Sequence, residues 1–486
     1  MAIDHVDVLV AGAGLSGIGA GYYLQTKCPS LSYTIFEGRD AIGGTWDLFR
    51  YPGVRSDSDM YTLGYRFRPW PGAKAIADGP SILEYVRETA RVYGIDRKIS
   101  FNTRVQKASW SSRDSRWTVE ALTPSGTRTL TCSFIYLCTG YYDYESGYTP
   151  HFEGADEFRG TIIHPQKWPA NFNYRNRKVV VIGSGATAVT LVPAMANEAA
   201  HVTMLQRSPT YIVNLPSRDR IAMFLKRNLP ERTAYFITRW KNVFVSLGLY
   251  AVARTNPSFF KDMVSKGVRH QLGSDYDLKH FTPDYNPWDQ RLCLVPDADL
   301  FNSIREGKAS VVTAKIDRFT SNGIRLDTGE ELEADVIVTA TGLNMKIMAG
   351  LDLFVDGSHV DLSKTMTYRG MMYSDVPNLA SALGYTNASW TLKCDLTGEY
   401  VCKLLNHMKT HGYASATPRR NDPTVTEEPA LSFTSGYVQR ALPSLPKQGS
   451  KRPWKLRQNY ALDLLGVRLG SVRDGVIDFR PARRPE

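Results

Sequence analysis

Two glycine-rich turns carry the strongest chemical signal in the chain, Gly12-Ala-Gly14-Leu-Ser-Gly17 and Gly183-Ser-Gly185-Ala-Thr-Ala188. In such a turn the first glycine permits a tight bend, the second lets backbone approach a pyrophosphate, and the third small residue lets helix and strand pack closely. The phosphates then lie at the positive N-terminus of the helix. One such unit binds a cofactor, whereas two in one polypeptide suggest electrons passing from one cofactor to another. Between them lies Phe158-Arg-Gly160-Thr-Ile-Ile-His164-Pro-Gln-Lys-Trp168-Pro169, a joining segment whose spaced His and Trp could govern that passage.

The elements around the first turn follow a βαβ pattern. A strand is expected over 6–11, a helix over 15–25 and a second strand over 33–36, ending at Glu37, whose carboxylate would accept hydrogen bonds from a ribose. The second turn has the same grammar, with a strand over 178–182, a helix over 187–195 and a strand over 202–205. Here the second strand is followed by Arg207 and Ser208, and a guanidinium at that position suits the 2′-phosphate of NADP. Two further apolar runs, 134–137 and 336–338, end in Cys138-Thr139-Gly140 and Ala340-Thr341-Gly342, where the chain is expected to cross between nucleotide domains.

The fold class is therefore α/β, with two dinucleotide-binding, Rossmann-like domains, the first of them discontinuous. Residues 1–142 form its first part and 143–177 a linker. Residues 178–340 form the second domain, with a helical insert at about 216–280, and 341–486 return to the first. Residues 416–456, rich in Pro, Ser and charge, are expected to wrap the surface.

Composition agrees with a large folded protein. The 486 residues are 43% apolar, enough for an extensive core in two or three domains. The net charge is +11, yet no long Lys or Arg run occurs, which argues against nucleic acid and leaves a membrane surface or an anionic cofactor. Six cysteines show neither a CxxC pair nor a zinc spacing. That predicts a reduced, cytoplasmic protein without a metal site and excludes a disulfide reductase. The first strand begins too early for a signal peptide, and the most apolar later stretch, 243–253, is far shorter than the ~20 residues of a membrane span. The basic, apolar insert is compatible with peripheral membrane association, but a cap over a pocket is the favoured reading.

The segment Gly43-Gly44-Thr45-Trp46-Asp-Leu-Phe-Arg-Tyr-Pro-Gly53-Val-Arg-Ser-Asp57 offers glycines and an aromatic to an isoalloxazine ring. Together with Phe158-x-Gly160-x-x-x-His164-x-x-x-Trp168-Pro169 between two dinucleotide turns, it resembles the type I Baeyer-Villiger monooxygenases, class B flavoenzymes, along essentially the whole chain. With Tyr285-Asn-Pro-Trp-Asp-Gln-Arg291-Leu-Cys-Leu-Val-Pro296, it is most similar to their ethionamide-activating group, which oxygenates ketones and thioamide prodrugs.

The resemblance implies FAD and NADPH as cofactors and O2 with a small apolar ketone or sulfur compound as substrates. NADPH would reduce the flavin, O2 would add at its C4a, and the deprotonated peroxide would attack a ketone to give an ester or lactone. A buried anion of that kind needs a fixed positive partner. By its position in the motif Arg291 is the catalytic candidate, with Asp57 holding the guanidinium. Sulfur or nitrogen oxygenation without ketone activity is the alternative and would not need Arg291. His164 is implied to support NADP binding and domain movement rather than proton transfer, and Trp168 to anchor the linker. One departure stands out: Gln290 replaces the lysine usual before this arginine, which leaves Arg207 to discriminate the coenzyme alone. Residues 384–390 are expected near the flavin and substrate.

Overall fold

The computed structural model describes residues 4–482; 1–3 and 483–486, the ends of the expected first domain, lie outside the described residues. Strand His5–Ala11 pairs in parallel with Tyr33–Phe36 on one side and Gly126–Leu137 on the other. Such central strands are covered on both faces, so they read as unbroken apolar runs, and Val8, Leu9 and Val10 are fully buried. The sheet grows to nine strands through the antiparallel strands Arg104–Ser111 and Arg116–Thr123. Two of its later members, Asp352–Val355 and Leu379–Ser381, come from far along the chain, which thus returns to this sheet after the second unit.

The second sheet has five parallel strands in the order Ala309–Thr313, His201–Gln206, Lys178–Ile182, Val336–Thr339 and Thr161–Ile163. Its last strand lies within the segment expected to be a linker. An antiparallel ribbon, Tyr142–Gly147 against Leu343–Met345, pairs the two connecting stretches as they run between the sheets.

The insert leaves the second unit after Ile212–Leu215 and returns at Cys293–Pro296, which pairs in parallel with it. It consists mainly of helices Arg220–Asn228, Glu231–Thr255 and Pro257–Leu272. The middle helix is shared: Tyr235 and Val243 are buried in the first core and Ala253 in the second. Arg239, 4% exposed, donates to the carbonyls of Tyr61, Thr62 and Gly64 and pairs with buried Asp395 at 3.2 Å. The three carbonyls share the two N–H groups of Nη1, and Nη2 meets the carboxylate. The insert is therefore riveted to the first half of the molecule.

Candidate functional site

Both glycine turns take the geometry their spacing predicts. Gly12 and Gly183 have φ of +103° and +138°, which disfavour any side chain. A Cβ at Gly12 would reach the Cys138 carbonyl oxygen, one at Gly17 would overlap the Gly12 carbonyl oxygen, and one at Gly183 would meet that of Ala340. The helices that follow, Leu15–Lys27 and Ala186–Met195, start at Gly14 and Gly185 with no side-chain cap and no acid in the first turn. By contrast Asp59, Asp78, Asp219, Asn256 and Asn459 cap other helices through their side chains. The free N–H groups and positive dipole end at the two turns fit phosphate groups.

A cavity of about 260 Å³ opens at the first turn. Gly14, Gly44, Thr45, Trp46, Asp57 and Arg291 line it, and so do Ala186 and Thr187, at the start of the second helix. The two nucleotide turns thus converge on one space. A neighbouring cavity of about 310 Å³ shares Gly14 and Gly44 and runs past Gly12 to Glu37. Glu37 is buried, and its two carboxylate oxygens accept the N–H groups of Ala13 at 2.7 Å and Arg39 at 2.9 Å. Burial raises its pKa, and those two hydrogen bonds oppose the rise. A channel of this kind, glycine-walled and acid-tipped, suits an extended dinucleotide.

A third, more apolar cavity of about 130 Å³ lies beside the first. Tyr141, Arg291, Tyr385 and Trp390 line both and form the seam between them. Tyr141 stacks on Trp390 with ring centroids 5.1 Å apart. Arg291 keeps 36% of its side-chain surface open and lies 3.8 Å from the Asp57 carboxylate. Burial in the body of the protein disfavours its charge, but Tyr141, Asp57, Tyr437 and Tyr142 outweigh that and raise its pKa. It remains a cation at every working pH. The loop before it sets its position: Asn286 N–H donates to the Asp289 carboxylate, Arg254 pairs with the same carboxylate at 2.8 Å, and Trp288 takes φ +69°.

The remaining residues lie apart from this seam. Gly160 sits where a Cβ would run into the Asp335 carbonyl and the Phe158 ring, and Phe158 packs beneath the second sheet near Phe319. Trp168 makes edge contacts with Phe172 and Tyr174. His164 uses both ring nitrogens: Nδ1 accepts from Gln166 N–H and Nε2 donates to the Gly342 carbonyl, each at 3.2 Å. Gly147 lies so close that a Cβ there would overlap the imidazole. The histidine therefore ties the edge strand of the second sheet to the ribbon. Ala188 is fully buried at the start of the second helix, and Arg207 and Ser208 are exposed beyond strand His201–Gln206, outside the cavities that Arg291 lines.

Three features escape sequence reasoning. Tyr141 carries no motif. Leu431, Phe433, Tyr437 and Val438 line the apolar cavity, although 416–456 is expected to wrap the surface. Thr434 N–H holds this segment to the Asp289 carbonyl at 2.9 Å, directly beside the Arg291 loop. None of the insert's three main helices lines either cavity at the seam, so they do not cap it.

Comparison with known proteins places these features in context. The family described as flavin-binding monooxygenase-like matches residues 75–376, and an NAD(P)-binding Rossmann-like domain matches residues 10–72. The FAD-containing monooxygenase EthA of Mycobacterium tuberculosis is 54% identical over 99% of both chains. The probable FAD-binding monooxygenase AlmA of Acinetobacter baylyi is 47% identical over 98% of this chain and 96% of its own. Among solved structures, an oxidized steroid monooxygenase bound to NADP superposes with a TM-score of 0.76 at 22% identity, covering 98% of this chain and 99% of that one. Cyclohexanone monooxygenase in an open form superposes with a TM-score of 0.75 at 19% identity, covering 98% and 100%. Both are likenesses of fold.

Proposed function

Because the chain belongs to the flavin-binding monooxygenase-like family, we propose that it uses FAD, NADPH and O2 to convert small apolar ketones to esters or lactones, and to oxygenate sulfur in thioethers or thioamides. Bound FAD supplies activation of O2 with two electrons from NADPH, so that one oxygen atom enters the substrate and the other leaves as water. The observation that carries the reading is Arg291 at the seam between a glycine-walled channel and an apolar cavity.

Each role follows from the residue's chemistry. Gly12, Gly14, Gly17, Glu37, Gly44, Thr45 and Trp46 hold the FAD, with its phosphates at the free N–H groups of the first helix. Gly183, Gly185 and Ala188 form the NADPH turn, and Arg207 with Ser208 meets the 2′-phosphate. Arg291 offers a permanent positive charge where negative charge develops on the reacting oxygen, and water-poor walls strengthen that attraction. Asp57 orients the guanidinium. Tyr141 and Trp390 wall the seam, while Phe433 and Tyr437 help give the third cavity its preference for apolar substrates. His164 positions the second unit relative to the ribbon and transfers no proton.

Arg291→Ala tests the assignment. Ester formation from ketones should fall by more than about 10³-fold, while anaerobic flavin reduction by NADPH continues at its normal rate. Retained ester formation would overturn the role of Arg291. Loss of ketone oxidation with intact sulfoxidation would show that the two activities make different demands on the guanidinium.

A further inference from the structure

We infer that the outer face of the helical insert docks on an anionic lipid bilayer. Helix Glu231–Thr255 turns Tyr235, Arg239 and Val243 inward, yet its other side bears Phe236, Ile237, Phe244, Val245, Leu249 and Val252, all exposed. Phe224 of the preceding helix and Phe236 and Phe244 of this one are 65%, 61% and 60% exposed. A face of this size and aromatic content is not ordinary surface. Helix Tyr460–Leu469 packs beside it through Tyr460, whose ring is 5.8 Å from that of Trp240, and exposes Leu462, Leu465 and Leu469.

Charge identifies what covers it. Residues 216–272 hold eleven Lys or Arg against three Asp or Glu, a net of +8 in a chain whose total is +11. Arg239, Lys241 and Arg254 are engaged with Asp395, Asp219 and Asp289. Arg218, Arg220, Arg227, Arg232, Lys266 and Arg269 are exposed and without an ion pair among the described residues. A second copy seated on this face by two-fold symmetry would set these unpaired cations against their own copies, which disfavours a dimer. An anionic bilayer satisfies both features: apolar side chains enter the acyl boundary while the cations meet headgroups. No described helix is long and apolar enough to cross a membrane, so the contact is interfacial.

The test is co-sedimentation of the FAD-loaded chain with vesicles of phosphatidylcholine, alone or mixed with phosphatidylglycerol. Binding is expected on the mixed vesicles, at least about tenfold stronger than on phosphatidylcholine alone and weakened by salt. F224S/F236S/F244S and, separately, R227E/R232E should each reduce it at least about tenfold, with flavin content and thermal midpoint preserved. Absence of wild-type binding at low salt would overturn the proposal, and so would binding undiminished in both variants. A wild-type dimer that the triple-serine variant dissociates, without vesicle binding, would assign the face to a second copy and refute the bilayer.

Discussion

At the first glycine turn, Gly14 forms a bridge to Gly43, and Gly44 packs against it from across the channel. The adjoining acid, Glu37, is buried and already bonded to two backbone N–H groups. At the second turn a Cβ on Gly185 would meet nothing within 4 Å, and the residue that follows the strand, Arg207, stands exposed. The same local grammar is thus set in a closed channel once and in an open one once. A walled site suits a cofactor that stays through many turnovers, and an open one suits a coenzyme that must enter and leave each time. On the proposed reading the turn would let both sites bind phosphate, and their surroundings would set how long each holds its ligand.

The largest effects should come from breaking the shared grammar at the closed site. Gly17→Ala forces a methyl into the Gly12 carbonyl, and bound flavin, read from its absorbance after gel filtration, should drop more than about tenfold. Gly185→Ala has room, so flavin content should stay full while KM for NADPH rises about threefold to tenfold; equal flavin loss in both variants would erase the contrast. Arg207→Ala should raise KM for NADPH about tenfold or more by removing a charge-assisted contact, leaving turnover with NADH unchanged. A proportional rise for NADH would remove Arg207 from the 2′-phosphate site.

The smallest effect concerns the tie between the units. Burial lowers the pKa of His164 below its usual 6.5, with its bond to the Gly342 carbonyl opposing the shift. The unfolded chain therefore binds the proton more readily, so the stability His164 gives to the neutral fold is full above pH 6.5 and fades as the pH falls through that value. The thermal midpoint should drop by about 1 °C more between pH 7.5 and pH 5.5 in the wild type than in His164→Gln. A larger drop in the variant would contradict the sign.

Much of this organisation is legible in the sequence because local rules dominate it. Parallel strands such as 179–182 are apolar throughout, Gly12, Gly17 and Gly183 leave no room for a side chain, and both signals survive any tertiary context. Arg291 is legible only through its motif, since an isolated Arg-Leu-Cys carries no chemistry. Tyr141 and the 431–438 segment are hidden because their importance comes from contacts across hundreds of residues, on a stretch whose Pro, Ser and charge content reads as surface. The insert shows a different limit. Its amphipathic pattern gives the helices but not their partners, and nothing local to Arg239 indicates that Asp395 awaits it 156 residues away.

The shared helix Glu231–Thr255 bears on whether the molecule can be dissected. A fragment containing residues 178–340 alone would strip the cover from Tyr235 and Val243 and leave Arg239 facing solvent without Asp395. The remaining first half would keep a buried carboxylate with its guanidinium gone, a loss that costs about 3–5 kcal/mol in comparable cases. Two nucleotide units are distinct in the sequence, yet they share this helix, so they are expected to fold as one cooperative unit and neither half as an independent module.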